Sequence, residues 1–456
     1  MSIEIINPFN GKKEKTYLPM GKKAVDAAIN KAHEVQLLWK KNHIDYRGNL
    51  MRKASKILLD NKVKYAKMMT TEMGKPLKEA ISEVEKCAWV CEYYADAARG
   101  FLRKKVIKTE AFRSFVTYQP LGVILAIMPW NFPFWQVFRF AAPTIMAGNT
   151  AILKHASNVP ASALAIQDIF EEAGFPQGVF TTLLVETKAV KNIITNDKVK
   201  AVTLTGSEGA GSAVASLAGK NIKKTVLELG GSDAYVILED ADLEEAVNAC
   251  VTSRLINSGQ SCIGAKRFIV VEKVYDEFLE KFKTAMKDKK LGNPMKADTD
   301  IGPMARFDLR DELHDQVTNS IEKGAKVILG GKIPRNRKGA FYPATILTNI
   351  KKGMPAYEEE MFGPVAAVIK VKDQEEAIQV ANDSKFGLGA AVFTRDRKLG
   401  EYLATSKLDA GACFVNAYVR SDPRLPFGGI KVSGYGRELS KDGIMEFVNA
   451  KTVYVK

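Results

Sequence analysis

Apolar residues recur at three- and four-residue spacing over residues 20–104. This spacing is typical of amphipathic helices, because it places the apolar side chains on one face. Two cysteines, Cys87 and Cys91, lie four positions apart in "ISEVEKCAWVCEYYADAARGFL" and therefore share a face of one predicted helix. We interpret both as core residues, since free cysteine packs as a small hydrophobe and no histidine or second cysteine pair accompanies them to bind a metal.

The pattern changes after residue 104. The run "KKVIKTEAFRSFVTYQPLGVILAIM" predicts extended strands with a turn near Gln119 and Pro120. Beyond it, short β-rich runs alternate with helical runs, first around "NTAILKHAS" and "VKAVTLTGS" and again around "DAYVILED" and "AKRFIVVEKV". Strands that alternate with helices indicate parallel sheets covered on both faces. The expected fold class is therefore α/β, with two doubly wound lobes.

Length and composition limit the class of protein. A chain of 456 residues is too long for one ordinary core, and 46% hydrophobic with 26% charged residues is typical of a folded globular protein. The N-terminal sequence lacks a signal-peptide pattern, and no apolar run is long enough to span a bilayer. The 5 cysteines are an odd number, scattered along the chain, which does not suggest a disulfide framework. We expect a cytoplasmic protein without a membrane partner.

The formal net charge of +15 raises the question of nucleic-acid binding. That function requires basic residues clustered with aromatic ones on a stripe, whereas the lysines here are spread along predicted helix faces. We therefore expect no nucleic-acid partner, since a scattered charge excess affects solubility and steering more than it indicates a binding surface.

Turns at strand ends are the places to look for a site in a parallel sheet. The turn "VTLTGSEGAGSA" contains Gly206, Gly209 and Gly211, and small residues there allow backbone amides to approach a pyrophosphate. A plain tight turn explains the glycines equally well. Lys154 ends another strand in "AILKHASN", where it either binds a ribose or phosphate or is simply solvated.

Three further residues are candidates for catalysis, each with an alternative structural role. Glu228 ends an apolar strand, where burial would raise its pKa as a general base requires, or it caps a turn. Asn131, between aromatic residues and prolines in "MPWNFPFWQVFR", either donates to an oxyanion or satisfies its own turn. Cys262 in "INSGQSCIGAK" is a nucleophile or a small buried residue.

In chain order these segments resemble the aldehyde dehydrogenase superfamily over nearly the whole sequence. The matching motifs are "PWNFP", "LTGS", "LELGG", "GQSC", "EEMFGP" and "PFGGIKVSGYGRE". The resemblance implies two Rossmann-like lobes and a small β oligomerisation arm. The implied division is a dinucleotide-binding domain over 1–103 and 128–229, an arm over 104–127 and 440–456, and a catalytic domain over 230–439.

The resemblance also implies roles for the matching residues. Cys262 would attack an aldehyde, Asn131 and the Cys262 amide would hold the oxyanion, and Glu228 would activate the water that hydrolyses the thioester. No metal is implied. The implied cofactor-binding residues are Trp130, Lys154, Ser157, Gly206, Ser207, Glu360 and Phe362.

Ser157 departs from the pattern of many NAD-specific members, which have a glutamate there to accept the adenosine ribose hydroxyls. A serine removes a carboxylate that would repel a 2′-phosphate, and Lys154 supplies a positive charge nearby. We therefore expect NADP to be accepted and preferred, with NAD as the alternative.

The substrate is predicted from Arg139, which lies in an otherwise apolar helix. It is either a domain contact or a ligand for a substrate carboxylate, because a guanidinium matches carboxylate geometry. The chain resembles the shorter bacterial succinate-semialdehyde dehydrogenases, which carry an arginine at this position. Another branch has a second arginine where this chain has Ile256, and Arg420, Ser421 and Arg424, expected at the pocket rim, could compensate for it. Glutarate semialdehyde, glyceraldehyde or a broad range of aliphatic aldehydes are the alternative substrates.

The resemblance further implies a homodimer or homotetramer, since an exposed β ribbon pairs readily with a neighbour. Two other functions remain open at this stage. The chain could be a noncatalytic binding protein on the same fold. It could also transfer its acyl group to coenzyme A, although the presence of Glu228 favours hydrolysis.

Overall fold

The computed structural model describes residues 2–456. Helices and strands alternate as predicted along most of this length. The α-helices are α1 (Lys22–Trp39), α2 (Ile44–Asp60), α3 (Lys62–Met73), α4 (Leu77–Phe101), α5 (Trp135–Met146), α6 (Pro160–Glu172), α7 (Val190–Thr195), α8 (Glu208–Lys220), α9 (Leu243–Leu255), α10 (Glu272–Lys287), α11 (Phe307–Glu322), α12 (Pro355–Glu358), α13 (Gln374–Asn382), α14 (Arg397–Ser406) and α15 (Ser440–Met445).

The strands form five sheets, two of them large. They are β1 (Ile3–Ile6), β2 (Lys13–Tyr17), β3 (Lys105–Val106), β4 (Arg113–Pro120), β5 (Val123–Met128), β6 (Thr150–His155), β7 (Phe180–Thr182), β8 (Val199–Thr205), β9 (Lys224–Glu228), β10 (Ala234–Ile237), β11 (Arg267–Val271), β12 (Lys326–Leu329), β13 (Thr345–Thr348), β14 (Val365–Val371), β15 (Phe386–Gly387), β16 (Gly389–Phe393), β17 (Ala412–Val415), β18 (Ile430–Lys431), β19 (Gly434–Tyr435) and β20 (Val448–Val455).

The first large sheet has the order β19-β9-β8-β5-β6-β7. Its strands are parallel except for β19, which pairs antiparallel with β9. Successive side chains of β5 enter different cores: Val123 and Leu125 pack in one cluster, and Ile124 and Ala126 in the other. Helices therefore cover both faces of this sheet, which explains its continuous apolar strands.

The second large sheet has the order β12-β13-β14-β11-β10-β16-β17 and is parallel except for β12. Strand β10 again separates two cores, with Ala234 and Val236 on one side and Tyr235 and Ile237 on the other. Two covered, mostly parallel sheets confirm the predicted α/β class with two Rossmann-like lobes. Cys87 and Cys91 are fully buried in the core beside the first sheet, as their helical spacing predicts.

The arm is a three-stranded sheet in which β4 pairs antiparallel with both β20 and β3. It differs from the expected segment, 104–127, because β5 leaves the arm and joins the first large sheet between β6 and β8. Strand β5 is almost entirely buried, whereas the arm strands β3 and β20 are mostly exposed. The chain leaves the arm at Gly122, whose φ is 139°.

The expected catalytic segment, 230–439, also differs from the structure at one point. Strand β19, which lies within it, pairs with β9 and so completes the first sheet. This antiparallel pairing places Gly434 of "PFGGIKVSGYGRE" opposite Glu228. Within residues 2–456, no helix is both long and apolar enough to cross a membrane.

Candidate active site

The turn that precedes Cys262 has left-handed backbone at three consecutive residues. Asn257, Ser258 and Gly259 have φ angles of 54°, 55° and 80°, a region that is costly for residues other than glycine. Glycine is required at 259, because a Cβ there would lie 2.2 Å from the carbonyl carbon of Gly363. Such a strained turn is stable only where contacts with the surrounding structure hold its backbone in place.

The side chains of Glu79, which is half-buried, and Arg254, which is buried, hold this turn. The amide nitrogen of Asn257 donates to Glu79 Oε2 at 2.6 Å, and Arg254 Nη2 donates to the Gly259 carbonyl oxygen at 2.6 Å. Arg254 is charged, and its bond is therefore stronger than one between neutral groups. Burial raises the pKa of Glu79 to about 7, and the bond from the Asn257 amide opposes that rise. The two bonds stabilise the turn from helices α4 and α9.

Lys266 holds the other end of the same segment. Its side chain is fully buried, and Nζ donates to the carbonyl oxygens of Ser261 at 2.9 Å and Cys262 at 2.5 Å. Nζ also lies 3.3 Å from Glu360 Oε1, so the lysine charge is paired. The backbone of Cys262 is thus fixed by a cation that is shared with Glu360.

Burial raises the pKa of the Cys262 thiol to about 12. The positive charges of Arg139 and Lys266 act in the opposite direction, while Glu360 and Asp233 add to the rise. A thiol with this pKa is protonated at neutral pH. Its conversion to the reactive thiolate requires a base or an additional positive charge.

Asn131 lies beside this segment and is almost fully buried. Its Nδ2 donates to the Gln260 carbonyl oxygen at 3.2 Å, and Asn257 Nδ2 donates to the Asn131 carbonyl oxygen at 2.7 Å. An amide nitrogen carries two hydrogens, so the Asn131 side chain can donate one further bond. The structure therefore joins the two sequence-predicted segments, "PWNFP" and "GQSC", directly.

Helix α4 supports the loop that contains Asn131 and leads into α5. Glu83 Oε1 accepts hydrogen bonds from the amide nitrogens of Phe134 and Trp135, both at 2.9 Å. Lys75, which is buried, forms an ion pair with Glu83 and places Nζ 3.7 Å from the ring centroid of Phe132. Glu83 caps the N-terminus of α5, and its charge is balanced by Lys75.

His155 supports the same loop as a neutral side chain. Nε2 donates to the Pro133 carbonyl oxygen at 2.9 Å, and Nδ1 accepts from the Ala156 amide at 2.9 Å, which fixes the tautomer. Burial lowers the pKa of His155 to about 4. Since no histidine lines the cavity that contains Cys262, the described residues provide no cysteine–histidine pair.

Glu228 ends strand β9 and is fully buried. Both of its carboxylate oxygens lack a hydrogen-bond partner among residues 2–456. Burial raises the pKa of Glu228 well above its ordinary value, and the nearby carboxylate of Glu438 adds to the rise, opposed by Arg139. A Cβ at Gly428 would lie 2.6 Å from Glu228 Oε1, so glycine there leaves room for the carboxylate. The raised pKa agrees with the prediction made from the strand-end position.

Arg139 is buried in helix α5 and has three contacts. Its Nε forms an ion pair with Glu438, its Nη2 donates to Thr205 Oγ1 at 3.5 Å, and its guanidinium lies 4.5 Å from the ring centroid of Phe427. The sequence offered a choice between a domain contact and a carboxylate ligand. The ion pair with Glu438 joins residues far apart in the chain and gives the guanidinium a fixed partner.

A cavity of about 590 Å³ opens in front of the thiol. Of the predicted residues, Cys262, Arg139, Arg420 and Ser421 line it. Asn131 precedes the lining residue Phe132 in the chain, and Glu228 lies against Gly428, which follows the lining residue Phe427. The structure thus brings the predicted catalytic and substrate-binding residues to one place, within a volume suited to a small ligand.

A second cavity, of about 610 Å³, contains Lys154 and Ser157. Both polar atoms of the Asn158 side chain, which also lines it, are buried without a partner in the described chain. Burial lowers the pKa of Lys154. Unpaired polar atoms beside a lysine and a serine fit the ribose and phosphate groups of a dinucleotide.

The N-terminus of helix α8 lies at the glycine-rich turn where the sequence predicts a pyrophosphate. Ser207 caps the helix, accepting from the Ala210 amide at 3.4 Å, and the Gly206 amide donates to the Glu228 carbonyl oxygen at 3.0 Å. A Cβ at Gly209 would have no atom within 4 Å, so the first turn faces open space. Free amides at a helix N-terminus are suited to a pyrophosphate.

Glu360 lies where the lobes meet. Its Oε1 accepts from the Gly231 amide at 3.1 Å and pairs with Lys266. Nearby, the rings of Trp130 and Phe362 make an edge contact with centroids 5.8 Å apart. These predicted cofactor residues are therefore adjacent to the Cys262 segment, as a nicotinamide site requires.

Comparison with known proteins decides the family. A family model described as "Aldehyde dehydrogenase family" matches residues 1–453. The chain belongs to the aldehyde dehydrogenase family. The match covers nearly the whole chain and includes all six motifs on which the resemblance is based.

Two relatives of this aldehyde dehydrogenase and one solved structure carry the name of the same activity. The chain is 49% identical, over 100% of both chains, to "Probable succinate-semialdehyde dehydrogenase [NADP(+)]" of Synechocystis. It is 48% identical to "Succinate-semialdehyde dehydrogenase [NADP(+)]" of Mycobacterium avium, over 100% of this chain and 97% of the relative. A crystal structure of succinic semialdehyde dehydrogenase from Streptococcus pyogenes with NADP+ superimposes with a TM-score of 0.97, at 39% identity and 99% coverage of both chains.

Sequence reasoning missed several residues of the site, of which Lys86, Lys266 and Glu438 matter most. Lys86 follows Glu79, Ser82 and Glu83 on a polar face of α4, and all four line the cavity with Cys262. By spacing alone such a face is indistinguishable from a solvated one. Only the packing of α4 against α5 distinguishes a cavity-lining face from a solvated one, and no local sequence pattern encodes that packing.

Proposed function

We propose that this aldehyde dehydrogenase oxidises succinate semialdehyde to succinate with NADP, through a thioester on Cys262. The observation that carries the proposal is the single cavity that joins this thiol to Arg139, Lys86 and Ser421. A short aldehyde with a carboxylate at its far end matches a nucleophile at one wall and cations at another. The full-length relatives named for this activity support the same choice.

The first half of the reaction is assigned to Cys262 and Asn131. The thiolate of Cys262 adds to the aldehyde carbon, and the free hydrogen of Asn131 Nδ2 together with the Cys262 amide stabilises the resulting oxyanion. Both donors are fixed before the substrate arrives, so little reorganisation is needed. When bound, NADP supplies the acceptor for the hydride that leaves this adduct, and a thioester remains on Cys262.

The second half is assigned to Glu228. Its carboxylate removes a proton from water, the resulting hydroxide adds to the thioester carbonyl, and the C–S bond breaks to release succinic acid and the Cys262 thiolate. Glu228 then gives its proton to solvent. Burial keeps the pKa of Glu228 raised, which makes it a stronger base once it is ionised. The positive charges of Arg139 and Lys266 favour the thiolate that leaves.

The coenzyme is assigned to the second cavity, to the N-terminus of α8 and to the residues around Glu360. Lys154 and Ser157 would hold the adenosine ribose and its 2′-phosphate, and Gly206 and Ser207 the pyrophosphate. Trp130, Glu360 and Phe362 would surround the nicotinamide ribose. The unpaired amide of Asn158 adds a further donor and acceptor at the adenosine end.

Replacing Ser157 by glutamate is expected to weaken NADP binding by ~10- to 100-fold, because a carboxylate would face the 2′-phosphate. NAD binding should stay within about threefold, since NAD has no phosphate at that position. Dissociation constants measured by quenching of tryptophan fluorescence check this without turnover. Equal weakening for both coenzymes would contradict the role of Ser157.

The substrate proposal is tested with a panel of succinate semialdehyde, glutarate semialdehyde, glyceraldehyde and butanal, each with NADP and NAD. We expect the highest kcat/KM for succinate semialdehyde with NADP, because Arg139, Arg420 and Ser421 line the cavity. The reporter is nicotinamide reduction. If butanal is oxidised as well as succinate semialdehyde, the substrate proposal fails and the family chemistry remains.

We also propose how the chain is divided and where it acts. Residues 1–103 and 123–229, with β19, would form the cofactor domain, and the second sheet the catalytic domain. The exposed arm, with Phe112 86% accessible, would pair with another copy in a homodimer or homotetramer. All five cysteines are free, which supports a cytoplasmic location.

A further inference from the structure

Lys86 lies on helix α4 and lines the cavity that contains Cys262. Its Nζ donates to Ser421 Oγ at 2.7 Å and lies 4.3 Å from the ring centroid of Trp135. Both contacts are with uncharged side chains. Within residues 2–456, Lys86 forms no ion pair, although it is largely enclosed.

The other inner cation of this cavity has a fixed partner. Arg139 is paired with Glu438. Nearer the opening, Lys78 lies 2.8 Å from Asp300, and Arg420 and Lys289 are exposed to solvent. Lys86 is therefore the enclosed cation of the cavity whose charge has no fixed partner.

The acidic residues closest to Lys86 are bound to other groups. Glu83 is paired with Lys75 and accepts two backbone amides of the α5 N-terminus. Asp422 is paired with Arg424 at 2.7 Å. Neither carboxylate compensates Lys86 directly, so the cavity keeps a net positive site beside Ser421.

We propose that Lys86 is the principal ligand of the substrate's terminal carboxylate, with the Ser421 hydroxyl as a second donor. The Lys86 ammonium donates to Ser421 Oγ, and this leaves the hydroxyl hydrogen free to point into the cavity. The ligand class is a short aliphatic aldehyde with an anionic group at the opposite end. This inference rests on the proposed function and names the contact that selects its substrate.

The charge state of Lys86 supports the same role. Burial lowers the pKa of Lys86 to about 8, and the nearby charge of Arg139 contributes, opposed by Cys87, Asp422 and Glu83. The lysine is charged at pH 7, and a bound carboxylate stabilises that charge. The KM for succinate semialdehyde should therefore rise as the pH passes 8, while the KM for butanal should not rise with it.

The test compares Lys86→Met with Lys289→Met, which removes one charge from the rim of the same cavity. For Lys86→Met we expect kcat/KM for succinate semialdehyde to fall by about 10- to 100-fold and kcat/KM for butanal to stay within about threefold. Lys289→Met should change the ratio of the two values by less than about threefold. Lys86→Arg should recover part of the loss.

Binding of succinate to the holoenzyme, followed by isothermal titration calorimetry, gives a readout that does not depend on turnover. We expect a matching loss of affinity in Lys86→Met. Equal losses for succinate semialdehyde and butanal, or unchanged affinity for succinate, would overturn the role of Lys86. If the unsubstituted enzyme does not prefer succinate semialdehyde to butanal, the proposed substrate is wrong. That outcome is distinct from a normal substrate preference that does not depend on Lys86, which would refute only the role of Lys86.

Discussion

Cys262→Ala is expected to lower kcat by roughly 10,000-fold or more, because it removes the only group assigned to form the covalent intermediate. Coenzyme affinity should change little, since the alanine keeps the backbone that Lys266 holds. The measurement is steady-state nicotinamide reduction with succinate semialdehyde, together with a coenzyme dissociation constant for each enzyme.

Cys413→Ala is the matched control. Cys413 is also half-buried, but it lies on strand β17 of the second sheet and does not line the cavity in front of Cys262. We expect its kcat to stay within about twofold of the unsubstituted enzyme, because it contacts neither cavity. Substantial turnover by Cys262→Ala, or an equal loss in Cys413→Ala, would contradict the assignment of the nucleophile.

Glu228→Gln is expected to stop the reaction after the thioester has formed on Cys262. Coenzyme reduction should begin with a burst of about one equivalent per site, and steady-state turnover should fall by ~10²- to 10⁴-fold. The reason is that glutamine cannot remove a proton from the attacking water, while Cys262 and Asn131 are unchanged. Stopped-flow absorbance separates the burst from the steady state.

The pH dependence follows from the raised pKa of Glu228. Only the ionised carboxylate is a base, so the steady-state rate of the unsubstituted enzyme should rise with pH through that pKa, and Glu228→Gln should lose this rise. Glu72→Gln is the control, because burial also raises the pKa of Glu72, to about 7, at a site outside both cavities. Loss of the burst in Glu228→Gln would place Glu228 in the first half of the reaction and contradict this account.

Much of the fold and site follows from local pattern. Alternating strands and helices predict two parallel sheets, and the strand-end rule selects Glu228 and Lys154. The family resemblance decides between the alternative roles of Cys262 and Asn131. The structure connects their segments through hydrogen bonds among Asn131, Asn257 and Gln260. These features are predictable because they depend on neighbouring residues or on short motifs.

The remainder depends on contacts between distant segments. Strand β5 follows the arm strand β4 closely in the chain, and its pairing with β6 and β8 assigns it to the first sheet. The pairing of Arg139 with Glu438 joins residues far apart in the chain and changes what Arg139 can bind. Lys86 could not be predicted for the same reason, because the polar face of α4 that carries it has the sequence pattern of a solvated face, although α5 packs against this helix.

The central claim is that the substrate becomes a succinyl thioester on Cys262. It is tested most directly by mixing Glu228→Gln enzyme with succinate semialdehyde and NADP, quenching with acid and mapping the peptides by mass spectrometry. We predict a mass increase of one succinyl group on the peptide that contains Cys262, dependent on both substrates and absent from the peptide of Cys413. No succinyl group on the protein, or a succinyl group on another residue, would contradict the account.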